Sequence, residues 1–127
     1  MNVIHTAIWV SDLEASLEFY TEVLDLDHRW NFGGEDGRNN VYVGGEEGAE
    51  IQLKRADDDR EIDPDDVAFD HLAVTVEDVD EAFERIVEES GFDVRDEPFD
   101  NTEAGARVAF IRDPDGYAVE LVQPKEF

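Results

Sequence analysis

The alternation of apolar and polar side chains divides the chain into two runs of elements in the same order. Residues 3–10 alternate and are rich in β-branched and aromatic types, which predicts a strand. Ser11 with Glu14 three residues on reads as a capping box, and Leu13, Leu17, Tyr20 and Leu24 then recur at helical spacing to about Asp25. Three strands follow at roughly 27–33, 38–43 and 49–55, separated by Gly33-Gly34 and Gly44-Gly45. The second run opens with a strand at 69–76. A helix comes next, from Asp78 to about Glu89, with Val79, Phe83, Ile86 and Val87 as its apolar stripe and Gly91 as its stop. Strands near 92–96, 106–112 and 117–123 complete it, the last two joined by a tight turn at Asp113-Pro114-Asp115-Gly116. Each run is βαβββ. The expected fold class is therefore α+β: two modules in tandem forming a curved mixed sheet, with a helix on the convex side of each half.

The two runs also match residue by residue. His5, Ala7, Val10 and Asp12 correspond to His71, Ala73, Val76 and Asp78 at an offset of 66. Gly48-Ala49-Glu50-Ile51-Gln52-Leu53 corresponds to Gly116-Tyr117-Ala118-Val119-Glu120-Leu121 at an offset of 68, so about two residues were gained inside the second copy. One domain, 1–127, is expected to comprise module 1 (1–56), an acidic linker (57–67) containing Pro64, and module 2 (68–127). The linker lacks the central glycine and terminal glutamate of a calcium-binding helix–loop–helix.

Strand parity connects the repeat to chemistry. Ile4, Ile8 and Val10, with Leu72, Val74 and Val76, form the apolar set expected to pack under the helices, as do Ile51, Leu53, Val119 and Leu121. The opposite face then carries His5, Ala7 and Trp9; His71, Ala73 and Thr75; Glu50, Gln52 and Lys54; and Ala118, Glu120 and Val122. His5, Gln52, His71 and Glu120 therefore share the helix-free face and read together as one metal site. Two imidazoles, a carboxylate and an amide oxygen suit one borderline divalent transition metal such as Ni²⁺, Co²⁺, Zn²⁺, Mn²⁺ or Fe²⁺. Hard Mg²⁺ and Ca²⁺ rank lower. A register slip would exchange Gln52 for Glu50. His28 has no repeat mate and reads as an ordinary surface or pocket residue. Trp9, Trp30, Phe32, Tyr42 and Phe110 fit the core or the lining of a pocket.

Composition narrows the functional classes. The chain has 35 acidic and 10 basic residues, a net charge of −25, and only Lys54 and Lys125 as lysines. That charge opposes binding to nucleic acid or anionic membranes, which requires a basic surface. A hydrophobic fraction of 41% with clear periodicity opposes disorder, leaving a halophilic reading: an acidic protein solvated for high salt. With no cysteine, disulfides, thiolate metal sites and a cysteine nucleophile are excluded. No run of apolar residues is long enough to span a bilayer and no basic n-region opens the chain, so a cytoplasmic protein is expected.

His5-Thr6, then Val10-Ser11-Asp12-Leu13-Glu14-Ala15-Ser16-Leu17-Glu18-Phe19-Tyr20, resembles the opening of glyoxalase I proteins. Asp70-His71-Leu72-Ala73-Val74 and the segment from Phe110 to Leu121 carry the same resemblance, which spans the whole chain and extends to the vicinal oxygen chelate superfamily. The resemblance implies a metal held by His5, Gln52, His71 and Glu120, and a lyase or isomerase acting on a 2-oxoaldehyde–thiol adduct through a metal-bound enediolate. Glu120 would be the catalytic base. Two halves, from one chain or from two, would close around the metal, implying a homodimer. Three positions depart from the pattern: Gln52 stands where short bacterial members usually have glutamate, Trp9 where an arginine helps hold the glutathione carboxylate, and Ala56 near an asparagine of similar task. These departures point to another small thiol or a different substrate. Within the superfamily, His5, His71 and Glu120 alone would suit an Fe²⁺ extradiol-type dioxygenase or an Mn²⁺-dependent thiol transferase. A metal-free ligand-binding protein like those of bleomycin resistance is the remaining alternative, against which the intact ligands count.

Overall fold

In the computed structural model the described residues are 1, 3–55, 61–65, 69–91 and 93–127. Ala56, much of the acidic linker and Phe92 lie outside them. Two compact units are present, Met1–Ile62 and Asp63–Phe127. The first contains β1 (His5–Val10), α1 (Leu13–Glu18) continued by a π-helical turn (Phe19–Val23), β2 (Asp27–Phe32), β3 (Asn40–Gly44) and β4 (Glu50–Arg55). The second contains β5 (Leu72–Thr75), α2 (Val79–Ser90), β6 (Val94–Asn101), β7 (Ala106–Arg112) and β8 (Ala118–Pro124). The mixed sheet takes the form of two four-stranded sheets, one per unit, ordered β1-β4-β3-β2 and β5-β8-β7-β6. In each, the first strand pairs in parallel with the last and the other pairs are antiparallel.

Parity decides what is buried. Ile8 and Val10 of β1 are buried with Leu13, Phe19, Tyr20, Val41, Val43, Ile51 and Leu53. Val79 and Ile86 of α2 are buried in the second unit, as are Val108, Ile111, Val119 and Leu121. Ile4, expected in the core, is instead 69% exposed because it precedes the first paired residue of β1. Both helices start on an aspartate at the same repeat position: Asp12 Oδ1 accepts from Ala15 N, and Asp78 Oδ1 from Glu81 N, each at 3.1 Å. The cap of α1 is thus Asp12, not Ser11; aspartate caps as well as serine, and its carboxylate is favoured at the positive helix end.

Three further differences from the pattern have local causes. Phe19 and Tyr20 are adjacent yet both fully buried, with rings edge-to-face at 5.1 Å. The wider turn there, Leu24 N to Phe19 O at 3.0 Å, turns both inward. β6 continues to Asn101 through Pro98, which would stop a central strand; β6 is an edge strand with register shifts on either side of Asp96, so a missing N–H is tolerated. Gly44 lies within β3, and the left-handed backbone of the following turn falls on Gly48.

The Ser16 hydroxyl is fully buried and has no hydrogen-bond partner among the described residues. A desolvated hydroxyl costs about 1–3 kcal/mol, so Ser16→Ala should stabilise the protein by about 1 kcal/mol. A thermal melt in high salt should rise by about 4 °C; a lower midpoint would contradict this account of the site.

Candidate metal centre

The strand register brings the repeat positions into equivalence. Ala7 lies opposite Gln52 in the β1–β4 pair, and Ala73 lies opposite Glu120 in the β5–β8 pair. Glu50 instead faces His5, so the symmetry mate of Glu120 is Gln52. Each unit thus has one histidine at or just before the start of its first strand and one oxygen donor two steps along its last strand, on the sheet face away from the apolar core.

Each histidine rests on an aromatic ring. His5 meets Tyr42 edge-on at 5.4 Å and 82°, and His71 meets Phe110 at 5.5 Å and 85°. Tyr42 pairs across the sheet with Gln52, and Phe110 with Glu120. The two trios, His5–Tyr42–Gln52 and His71–Phe110–Glu120, are copies of one design. The ring limits rotation of each imidazole and covers one flank of the donor beside it. Their shared offset was visible in the sequence, but strand aromatics could not be assigned this support role without the register.

In the second unit His71 Nε2 lies 3.3 Å from Glu120 Oε1. His71 Nδ1 is 2.7 Å from Asp70 Oδ2. Asp70 holds the ring, leaving Nε2 to face Glu120, the arrangement by which carboxylates orient metal-ligating imidazoles. Two ligand atoms on one ion at 2.0–2.2 Å stand about 3.0–3.4 Å apart, so this pair fits a divalent metal. The hydrogen bond from His71 pulls the Asp70 carboxyl below the usual aspartate range, with smaller help from the charges of His71 and Arg95, against desolvation. Because the folded state favours ionised Asp70, this contribution to stability is complete above the usual aspartate pKa and is lost as pH falls below it.

In the first unit Gln52 is 6% exposed and its Nε2 donates to Asn40 Oδ1 at 2.8 Å. That leaves its carbonyl oxygen as the donor atom for a metal. Among the described residues no three His, Asp or Glu side chains are arranged to hold one metal ion; each unit by itself carries two of the four expected ligands. His28 is exposed on β2. Trp9 is 39% exposed, with Lys54 Nζ 5.3 Å from its ring centroid. Trp30, 48% exposed, stacks on Tyr42 at 4.1 Å and 5°, and Phe32 stacks on Trp30 at 5.4 Å. Of the five aromatics, only Tyr42 is a core residue; Trp30 and Phe32 form an open apolar floor that reaches His5 through Tyr42, and Trp9 lies at the far edge of the sheet. In the second unit a cavity of about 310 Å³ opens next to Asp70, with Arg95 and Arg112 on its walls. No helix of the described residues is long and apolar enough to cross a membrane.

The sequence profile of the Glyoxalase/Bleomycin resistance protein/Dioxygenase superfamily matches residues 2–121. A lactoylglutathione lyase of Neisseria meningitidis serogroup A is 35% identical over 135 residues, covering 98% of this chain and 92% of that protein. Glyoxalase I of Leishmania major, described as trypanothione-dependent, is 26% identical with a TM-score of 0.78, over 97% of this chain and 86% of the other. Glyoxalase I of Zea mays superposes with a TM-score of 0.83 at 24% identity, and this chain spans 45% of its length.

Proposed function

The chain belongs to the Glyoxalase/Bleomycin resistance protein/Dioxygenase superfamily, and on that premise we propose that it is a metal-dependent lyase of glyoxalase I type acting on a 2-oxoaldehyde–thiol adduct. The observation that carries this reading is the His71–Glu120 pair, oriented by Asp70 and matched in the other unit by His5 and Gln52. His5, Gln52, His71 and Glu120 would hold one divalent transition metal, with the two halves supplied by one chain or by two chains of a homodimer. When bound, the metal supplies a Lewis acid for the negative charge that appears on the two adjacent substrate oxygens as a proton is removed.

The remaining work falls to the protein. Glu120 takes the proton from one carbon of the adduct and returns it to the next, which turns the thiohemiacetal of a 2-oxoaldehyde into a thioester of a 2-hydroxy acid. The carboxylate is suited to this because it is partly shielded, 17% exposed, while the Phe110 ring limits its excursions. Gln52 binds but has no basic oxygen at neutral pH, so proton transfer rests on one side of the site. The apolar floor of Trp30 and Phe32 suits the hydrocarbon part of the substrate, and the cavity walls of Arg95 and Arg112 suit an anionic group on the thiol.

The test is to purify the protein in high salt, quantify bound metal, and assay Ni²⁺- or Co²⁺-reconstituted protein with methylglyoxal and several thiols, glutathione among them. Thioester formation that depends on metal and thiol supports the reading. Oxygen consumption with Fe²⁺ and a catechol overturns it in favour of a dioxygenase, and absence of metal uptake overturns it in favour of a binding protein.

A further inference from the structure

The two units differ in one respect that the repeat does not require. An ionised carboxylate offers two equivalent oxygens, so Glu120 presents an acceptor whichever way it turns. An amide does not: rotated by half a turn, Gln52 would present its NH₂ group, which repels a cation. A glutamine can serve as a metal ligand only where something holds its nitrogen. Asn40 is placed to do this, accepting the 2.8 Å hydrogen bond from Gln52 Nε2. Asn40 is itself set the right way round, since its own Nδ2 lies 3.5 Å from the Phe32 carbonyl as donor, leaving Oδ1 to accept. The position equivalent to Asn40 in the second unit, two residues before Phe110 as Asn40 is two before Tyr42, is Val108, which offers no hydrogen bond. The polar residue occurs only in the unit whose ligand is an amide.

We propose that Asn40 is a positioning residue that fixes the Gln52 amide with its oxygen toward the metal, the chain Phe32 carbonyl–Asn40–Gln52 acting as an orientation lock. The inference rests on the reading of Gln52 as a ligand. It also explains how this chain accommodates glutamine at the position equivalent to Glu120: the amide lowers the negative charge around the ion by one, and Asn40 removes the ambiguity that the amide introduces. Glutamate at position 52 would have no need of the lock, and would meet the Asn40 carbonyl oxygen unless Asn40 turned round.

Cobalt titrations of the intact protein in high salt, followed by the visible absorption of bound Co²⁺, test this with four variants: Gln52→Ala, Asn40→Val, Gln52→Glu, and the last two combined. Asn40→Val copies the residue of the second unit, and thermal melts establish that each variant is folded. Asn40→Val is expected to weaken Co²⁺ binding about tenfold and alter its spectrum, and to weaken it not at all when position 52 is glutamate. Equal loss in both backgrounds would mean that Asn40 merely supports the sheet, and would overturn the lock. Weaker binding in Gln52→Ala with none in Asn40→Val would also overturn it, while leaving Gln52 a ligand. Unchanged binding in Gln52→Ala would instead remove Gln52 from the ligand set, and the lock with it.

Discussion

Glu120→Gln should lower turnover of a methylglyoxal–thiol adduct by about 10²- to 10⁴-fold, the range expected when a positioned proton-transfer group is removed. The substitution keeps the side chain's length and its cross-strand partner Phe110 and removes the basic site, and because Val108 stands where Asn40 does in the first unit, the new amide should also bind metal about tenfold more weakly. Metal content should fall much less than activity, and KM should move little, because the carboxylate acts on the reacting proton rather than on the bound substrate. Measuring kcat, KM and bound metal on one preparation separates these effects. Retention of more than a tenth of the activity would exclude Glu120 as the base. Glutamine at this position would also make the two halves chemically alike, an amide in each, which is the state that the wild-type pair Gln52 and Glu120 avoids.

Dilution from molar salt into 10 mM buffer should unfold the protein, and salt should restore it. The first unit has fifteen acidic residues against five basic, the second twenty against five. A unit of this size has a radius of gyration near 11 Å. At 10 mM the screening length, about 30 Å, exceeds the whole unit, so its carboxylates all repel; at 1 M it is about 3 Å and only contacting charges interact. Among the described residues the ion pairs are too few to offset this: Arg38 with Glu14, Arg55 with Asp36, Arg85 with Glu89, Arg95 with Asp96, and Arg107 between Asp80 and Asp100 set five positive charges against 35 acidic residues. α2 adds a local penalty, since its last turn contains Glu88 and Glu89 and no basic residue, against the helix dipole. Circular dichroism against salt concentration reads the transition directly. A melting temperature indifferent to salt between 10 mM and 1 M would remove the proposed salt requirement.

Much of the fold was legible because two periodicities alternated along the chain and then repeated. The pair Asp12 and Asp78 shows how the repeat improves a local reading: Ser11 is a good cap in isolation, but its mate in the second copy is Glu77, whereas both aspartates cap. Boundaries were less legible where tertiary context prevailed. Pro98 argues for a strand end until β6 is known to be an edge, and nothing in Phe19-Tyr20 announces that the helix widens to bury both rings. For the candidate site, parity put His5 with Gln52, and His71 with Glu120, on the face of each sheet away from the apolar core, since a period of two leaves little freedom once the apolar set is known. Their partners were not readable. Asp70 adjoins His71 in sequence without any sign that it bonds Nδ1, and Asn40 is twelve residues from Gln52, a relation that only the β3–β4 pairing creates.

The two tryptophans of the chain, Trp9 and Trp30, lie on the same face of the first sheet as His5 and Gln52, and both are partly open to solvent. The protein therefore carries its own optical label in one half only. Its entire indole emission arises in the first sheet, with Trp30 linked to His5 through the intervening Tyr42 ring. Quenching by a paramagnetic ion, or a spectral shift when an apolar substrate displaces water from the floor, would report events at the His5–Gln52 half with no dye attached. The second unit holds no tryptophan, so indole fluorescence distinguishes events at His5–Gln52 from events at His71–Glu120.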